Sequence, residues 1–182
     1  MTTTFASNNG QSGNIFDILV GSNDITINAF DLNIDPGTND VEFWFRVGTA
    51  TGFEDKTDGW TQHDTRPGLV SSAADTPTTW DVADLTLSAN TRYGLFLTSV
   101  TGTNFNYTNG SAVGAVAAQN GDLTIFEGYG KGLPLLTGST FAPRVWNGTI
   151  DYTVTAPVPL PGALPLMLLA LASGAVLTRR RR

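Results

Sequence analysis

Residues that carry out nucleophilic catalysis are scarce in this sequence. The 182-residue chain has no cysteine and a single histidine, His63, with Asp64 beside it. Thiol chemistry, disulfides and cysteine- or multi-histidine-based metal sites are therefore excluded. A serine nucleophile would need His63 as its base, and the Gly-x-Ser-x-Gly motif that often presents such a serine does not occur. We interpret His63 as structural or exposed.

The acidic residues offer two patterns to weigh as calcium sites. Asp31, Asn33, Asp35 and Glu42 have the 1, 3, 5, 12 spacing of a calcium loop, but Pro36 stands where that loop needs glycine. Leu32 and Ile34 also continue a strand pattern, so we predict a strand that ends in a turn. The second pattern is a polar stretch that we interpret as a solvated loop: Glu54, Asp55 and Asp58. We expect no cofactor, with a structural calcium ion as the alternative.

Aromatic residues near polar stretches suggest a binding function. Aromatic faces can stack on the apolar faces of sugar rings, and four residues are candidates for this: Trp44, Trp60, Trp80 and Tyr129. The competing interpretation, which we favour, is that they are core or edge residues of a β-sandwich. The glycine-rich run at 128–132 lacks phosphate-loop spacing and is predicted to be a loop.

The elements that would position these residues are predicted to be β-strands. Apolar and polar residues alternate with period two, which is typical of half-buried strands, at residues 41–47, 92–98 and 149–154. Between Ile25 and Ile34 the apolar parity switches, which predicts a bulge or bend near Ala29 and Phe30. Turns are predicted at 35–37, 109–110, 120–121 and 147–148, the last with a bulge as the alternative.

The fold class predicted for residues 1–155 is all-β, an antiparallel β-sandwich or jelly-roll-like domain. All sixteen acidic residues lie in this body with six of the ten basic ones, giving it a net charge of −10. So acidic a body excludes nucleic acid as a partner, because phosphates need a basic face.

The composition changes near Ala156, where a three-part tail begins. Residues 156–161 are proline-rich, residues 162–178 are uncharged and mostly Leu and Ala, and residues 179–182 are four arginines. As a helix, residues 162–178 would be about 25 Å long, the short limit for a bilayer core of about 30 Å. The sequence therefore predicts a single C-terminal transmembrane helix whose arginines stay in the cytoplasm. A buried core helix is the alternative.

This tail resembles the PEP-CTERM family of bacterial sorting tails, in the variant written VPLPA. The resemblance is carried by the sorting motif, the apolar helix and the basic end in that order, with glycine in place of the final alanine: Val158, Pro159, Leu160, Pro161 and Gly162, then Arg179, Arg180, Arg181 and Arg182. It implies that an exosortase, a membrane-embedded cysteine transpeptidase-like enzyme, recognises and cuts the tail. The body would pass from the inner membrane to the cell surface or an extracellular matrix, where exopolysaccharide is a common neighbour.

Export also requires an N-terminal leader with a basic stretch and an apolar run of about 7–15 residues. Residues 1–6 have neither, so we expect that Met1 is not the natural start of the exported precursor. The body also resembles β-sandwich domains attached to such tails, at residues 8–17, 52–61 and 144–150. We therefore expect a non-enzymatic surface or matrix protein. The alternatives are an exopolysaccharide-binding module and, more weakly, a secreted hydrolase acting through a carboxylate pair that the sequence does not single out.

Overall fold

The computed structural model describes residues 1–102 and 104–155. Every helix or strand assigned in these residues is a β-strand, which confirms the all-β prediction for the body. The strands are β1 (Asn9–Gln11), β2 (Gly13–Val20), β3 (Asp24–Leu32), β4 (Gly37–Val47), β5 (Thr61–Ser71), β6 (Thr78–Leu87), β7 (Arg92–Ser99), β8 (Phe105–Asn109), β9 (Val116–Gln119), β10 (Leu123–Phe126), β11 (Gly128–Lys131), β12 (Thr140–Trp146) and β13 (Gly148–Thr155).

The strands form two antiparallel sheets. The large sheet has ten strands, eight of them in the order β1-β8-β12-β11-β2-β7-β4-β5. β10 pairs with the C-terminal part of β2 and carries β9 on its other side. The small sheet has the order β13-β3-β6. One face of β2 therefore looks towards the small sheet, and the other looks away from it.

The main core fills the space between the two sheets. Phe16 of β2 stacks on Trp146 of β12, with ring centroids 4.7 Å apart. Phe30 of β3 meets Trp146 edge-on at 6.1 Å and Phe43 of β4 at 4.9 Å. Offset and edge-on aromatic contacts of this kind stabilise a core beyond the burial of their area. Phe30 thus joins the small sheet to two strands of the large one.

The predicted irregularity in β3 is confirmed. Against β13, Ala29 pairs with Asp151 and Ile27 pairs with Tyr152, so Asn28 is the extra residue of β3. Its Nδ2 donates to Asp84 Oδ1 at 2.8 Å. The bulge lets Ile27 and Phe30, three positions apart, both face the core, where each is fully buried.

The predicted turn residues have two different outcomes. Asp35 and Pro36 connect β3 to β4, which begins at Gly37 with a positive φ of 134°. By contrast, Asn147 neither turns a hairpin nor bulges a strand: it carries the chain from β12 in the large sheet to β13 in the small one. A Cβ at Gly148 would lie 2.4 Å from the Trp146 ring, so the crossing needs glycine there.

The predicted tail lies outside the described residues, which include neither the helix at 162–178 nor the segments at 156–161 and 179–182. Within residues 1–102 and 104–155, the structure has no helix with the length and apolarity required to cross a membrane.

Candidate functional site

The outer face of the large sheet, which points away from the small sheet, carries a second apolar cluster. Ile15 of β2, Phe96 of β7 and Tyr129 of β11 lie under side chains from two long loops. The loop at 48–60 supplies Trp60, and the loop at 132–139 supplies Leu136. Both faces of the central strands are therefore covered, the inner face by a sheet and the outer face by loops.

A buried lysine holds these two loops against the sheet. Lys131 is fully buried, and its Nζ donates to Asp55 Oδ1 at 2.7 Å, to the Gly138 carbonyl at 2.7 Å and to Thr140 Oγ1 at 2.6 Å. Its three ammonium protons are thus all used. The hydrogen bond from Lys131, with a second from Thr140, lowers the pKa of Asp55 below its usual range. We call this group the Lys131 clasp.

A cavity of about 180 Å³ opens beside the clasped loops, over β2, β7 and β11. Its polar lining residues are Asp17, Thr49, Thr51, Arg92, Glu127 and Tyr129. Two segments form its rim, the turn at 49–51 and the pair Val113 and Gly114. We call it the Glu127 cavity.

Asp17 is a neutralised charge in this cavity. It is 8% exposed and accepts hydrogen bonds from the Ala50 amide at 2.8 Å and Thr49 Oγ1 at 2.6 Å. Arg92 donates to its Oδ2 at 3.1 Å, and the Arg92 guanidinium lies 4.1 Å from the Phe126 ring centroid. Asp17 therefore fixes the 49–51 turn on the sheet and already has a counter-charge.

Glu127 differs from Asp17 in having only neutral partners. It is also 8% exposed. Its Oε1 accepts from Ser111 Oγ at 3.0 Å, and its Oε2 accepts from the Ser111 amide at 2.5 Å and the Ala112 amide at 3.0 Å. Neither ion pair found in the described part of the chain includes Glu127.

Tyr129 brings an aromatic ring and a hydroxyl to the same cavity. The hydroxyl donates to Thr51 Oγ1 at 3.2 Å. Burial raises the pKa of Tyr129, and the negative charges of Glu54 and Asp17 add to the effect. The phenol therefore stays protonated and neutral near pH 7.

The structure buries three of the four rings singled out as sugar-stacking candidates. Trp80 is 2% exposed and lies between the sheets, while Trp60 and Tyr129 belong to the outer cluster. Trp44 is half-buried on the outer face of β4, with its Nε1 donating to Glu42 Oε2 at 2.9 Å. Because both faces of the large sheet are covered, a position near a polar stretch did not imply exposure.

The prediction of a loop at 128–132 was wrong. Gly128–Lys131 forms β11, an inner strand between β12 and β2. A Cβ at Gly128 would lie 2.2 Å from the Ile15 carbonyl oxygen, and one at Gly130 would lie 2.7 Å from Tyr107 ring atoms. These glycines allow close approach of neighbours within a sheet.

His63 links the two sheets. Its Nε2 lies 2.7 Å from the Ala83 carbonyl of β6, and its ring meets Phe43 edge-on at 5.4 Å. Asp64 accepts a hydrogen bond from the Ala83 amide at 2.8 Å. The pair ties β5 to β6, which is a structural role.

Three residues of the calcium-loop pattern accept hydrogen bonds from other side chains of the protein. Asp31 accepts from Thr79 Oγ1 at 2.6 Å, Asp35 accepts from Asn106 Nδ2 at 2.8 Å, and Glu42 holds Trp44. Of the second pattern, Asp55 belongs to the Lys131 clasp. In residues 1–102 and 104–155, no three His, Asp or Glu side chains converge as a metal site would require.

Sequence reasoning did not find Asp17, Glu127 or Lys131. One signal was available for Asp17, a lone carboxylate within the apolar run at 15–20. The partners of Glu127 come from residues 111 and 112, which no local pattern relates to it.

The residues of the sorting motif and the basic end lie outside the described residues. No protein-family model and no curated protein matches the chain.

Proposed function

We propose that the protein is an exported bacterial cell-surface or extracellular-matrix protein whose C-terminal tail is recognised and processed by an exosortase. The observation that carries the proposal is the order of three segments at the C-terminus. The motif at 158–162 is followed by an apolar run to 178 and then by four arginines. The body acts as a non-enzymatic structural or interaction module.

The way in which the body ends supports this division of roles. Ile150 is the last fully buried residue of β13, and the residues from Thr153 to Thr155 are exposed. The chain thus leaves the core several residues before the motif begins at Val158. A cut near the motif would remove none of the core residues that the structure describes.

The chemistry of the tail fits recognition by a protease at a membrane. Pro159 and Pro161 fix φ and lack a backbone N–H, so neither can join a helix interior or a sheet ladder. An extended segment is the form in which proteases bind substrates. The apolar run would hold this segment at a set depth, and the arginines would resist translocation.

The test is the intact mass of the mature protein from its native host, with and without the exosortase gene. We expect a mass that ends near residues 158–162 in the wild type and an uncut tail in the deletion strain. Replacing Pro159 and Pro161 by alanine should also leave the tail uncut, whereas Pro36→Ala in the body serves as the matched control. An uncut wild-type tail, or cutting without the enzyme, contradicts the proposal.

Trp44 favours a second candidate function, binding of extracellular polysaccharide by the body. Of the four candidate rings, it alone is not buried, and Gln62 lies opposite it on β5. Neighbouring Glu42 and Gln62 offer hydrogen-bonding groups beside an aromatic face. Affinity electrophoresis of the full chain with host exopolysaccharide tests this: Trp44→Ala should abolish retardation, while the exposed-site control Val47→Ala should not. No retardation of the wild type contradicts it.

A further inference from the structure

The residues that line the Glu127 cavity carry a net charge of −1, from Asp17, Glu127 and Arg92. Arg46, which donates to the Thr49 carbonyl at the rim, is not among them. Asp17 and Arg92 cancel one another at 3.1 Å, whereas Glu127 takes hydrogen bonds from neutral donors only. Those donors hydrogen-bond to the carboxylate but bring no positive charge to it. Because Asp17 and Glu127 are each only 8% exposed, a cation inside the cavity would be attracted more strongly than one in water.

Both carboxylates also keep acceptor positions. An ionised carboxylate has about four lone-pair sites. Glu127 uses three of them, for Ser111 Oγ and the amides of Ser111 and Ala112. Asp17 also uses three, for Ala50, Thr49 and Arg92. A ligand with several N–H donors could use the acceptor positions that remain on the two carboxylates, and a primary ammonium has three such donors.

The volume and lining of the cavity limit the size and polarity of the part of the ligand that carries the ammonium. A volume of about 180 Å³ lies below the roughly 300 Å³ at which drug-sized pockets begin. Ala50, Val113 and the Tyr129 ring give apolar contact, and Thr49 and Thr51 give hydroxyl groups. Val113 is 39% exposed and Thr51 is exposed, so the cavity opens to solvent at this rim.

We propose that the Glu127 cavity binds a small primary ammonium compound, with the ammonium near Glu127 and Asp17 and the carbon part against Tyr129 and Val113. The ammonium could come from a free amine or from an unacetylated amino sugar at the end of a polysaccharide. The proposal concerns the body alone and does not depend on how the tail is processed.

Calorimetric titration of the full chain in detergent tests the proposal with matched ligand pairs. Ethanolamine is compared with ethylene glycol, in which a hydroxyl replaces the ammonium, and a glucosamine oligomer is compared with its N-acetylated form. We expect saturable binding of an amine and at least tenfold weaker binding of its neutral partner. Binding of the glucosamine oligomer alone would identify the polysaccharide source, and binding of both amines would identify the free ammonium as sufficient. Equal affinity within each pair, or no saturable binding of either amine, overturns the proposal.

Variants locate the site. Glu127→Gln removes the uncompensated charge and should weaken amine binding at least tenfold. Asp58→Asn removes one charge from an exposed position of the 48–60 loop and should leave the affinity unchanged. If Glu127→Gln does not fold, Thr51→Val at the exposed rim takes its place, with an expected loss of about threefold or more. Unchanged affinity in the folded variant overturns the proposal, as does an equal loss in Asp58→Asn.

Discussion

The two faces of the large sheet are covered in different ways. The inner face packs on the small sheet through stacked and edge-on rings such as Phe16, Phe30 and Trp146. The outer face is covered by loops that a few polar groups attach: Asp17 fixes the 49–51 turn, and Lys131 holds Asp55 and Gly138. The first kind of cover depends on shape and area, and the second on individual hydrogen bonds.

This difference is consistent with the position of the Glu127 cavity. Close packing of apolar side chains leaves few voids larger than a water molecule. Loops held by directional bonds stay at fixed positions without filling all the space beneath them. The Glu127 cavity accordingly lies on the outer face, between a loop turn and the sheet.

The largest expected effect of a single substitution is on the inner face. Phe30→Ala removes the ring that joins β3 to β4 and β12, and should lower the free energy of unfolding by about 3–5 kcal/mol. Urea denaturation of the full chain in detergent measures the loss. Phe30→Leu, which keeps most of the volume, should cost less than half as much. Equal costs for the two variants would contradict this expectation, because they would show that the ring contacts matter and the retained volume does not.

On the outer face, the two partners of the ion pair in the Lys131 clasp should differ in how much stability is lost when each is replaced. Asp55→Ala leaves the buried ammonium without its counter-charge and should cost about 3 kcal/mol. Lys131→Met keeps an apolar side chain of similar length and leaves Asp55, 63% exposed, to be solvated by water. It should therefore cost only about 1–2 kcal/mol. The same denaturation measurement compares them, with exposed Asp58→Asn as the control.

An equal cost for the two clasp variants would contradict this account, because it would mean that the ion pair acts as a surface contact. The double variant should cost no more than Lys131→Met alone, since Asp55 has lost its partner in both.

The sequence predicted the strands that face the inner core better than the features of the outer face. Alternation in β4, β7 and β13 and the parity switch in β3 report inward-facing positions, so the strands and the bulge at Asn28 could be predicted. The same local rules misassigned β11. Glycine has no side chain, so it cannot contribute to an alternating apolar pattern. The requirement for glycine at position 130 comes from contact with Tyr107, which is distant in sequence.

The candidate site was less accessible to sequence reasoning for a related reason. Lys131 meets Asp55 across 76 positions, and Asp17 meets Arg92 across 75. Such pairs follow from strand order, and the alternation of single strands does not determine strand order. Trp60, Trp80 and Tyr129 were placed beside polar stretches correctly, but their burial depends on covering loops and on a second sheet.

Low pH should weaken the Lys131 clasp, which holds the loops on the outer face, because Asp55 becomes protonated. The folded-state pKa of Asp55 lies below its ordinary value of 3.8, so the clasp contributes stability above about pH 4 and loses it as pH falls through the lower folded pKa. Urea midpoints between pH 5 and 2 measure this loss. Lys131→Met removes the largest cause of the lowered pKa of Asp55 and should flatten the decline, although Thr140 still donates to Asp55 and other carboxylates still contribute. A decline as steep as that of the wild type would show that Asp55 does not contribute.

The smallest expected effect is at exposed apolar positions of the large sheet. Val47 at the end of β4 is 65% exposed and Val70 of β5 is 68% exposed, so truncation removes little buried area. Val47→Ala and Val70→Ala should each change the free energy of unfolding by no more than about 0.5 kcal/mol. A loss above about 1 kcal/mol at either residue would mean that the side chain is covered in solution, and sedimentation velocity of the same sample would then show whether a second copy covers it.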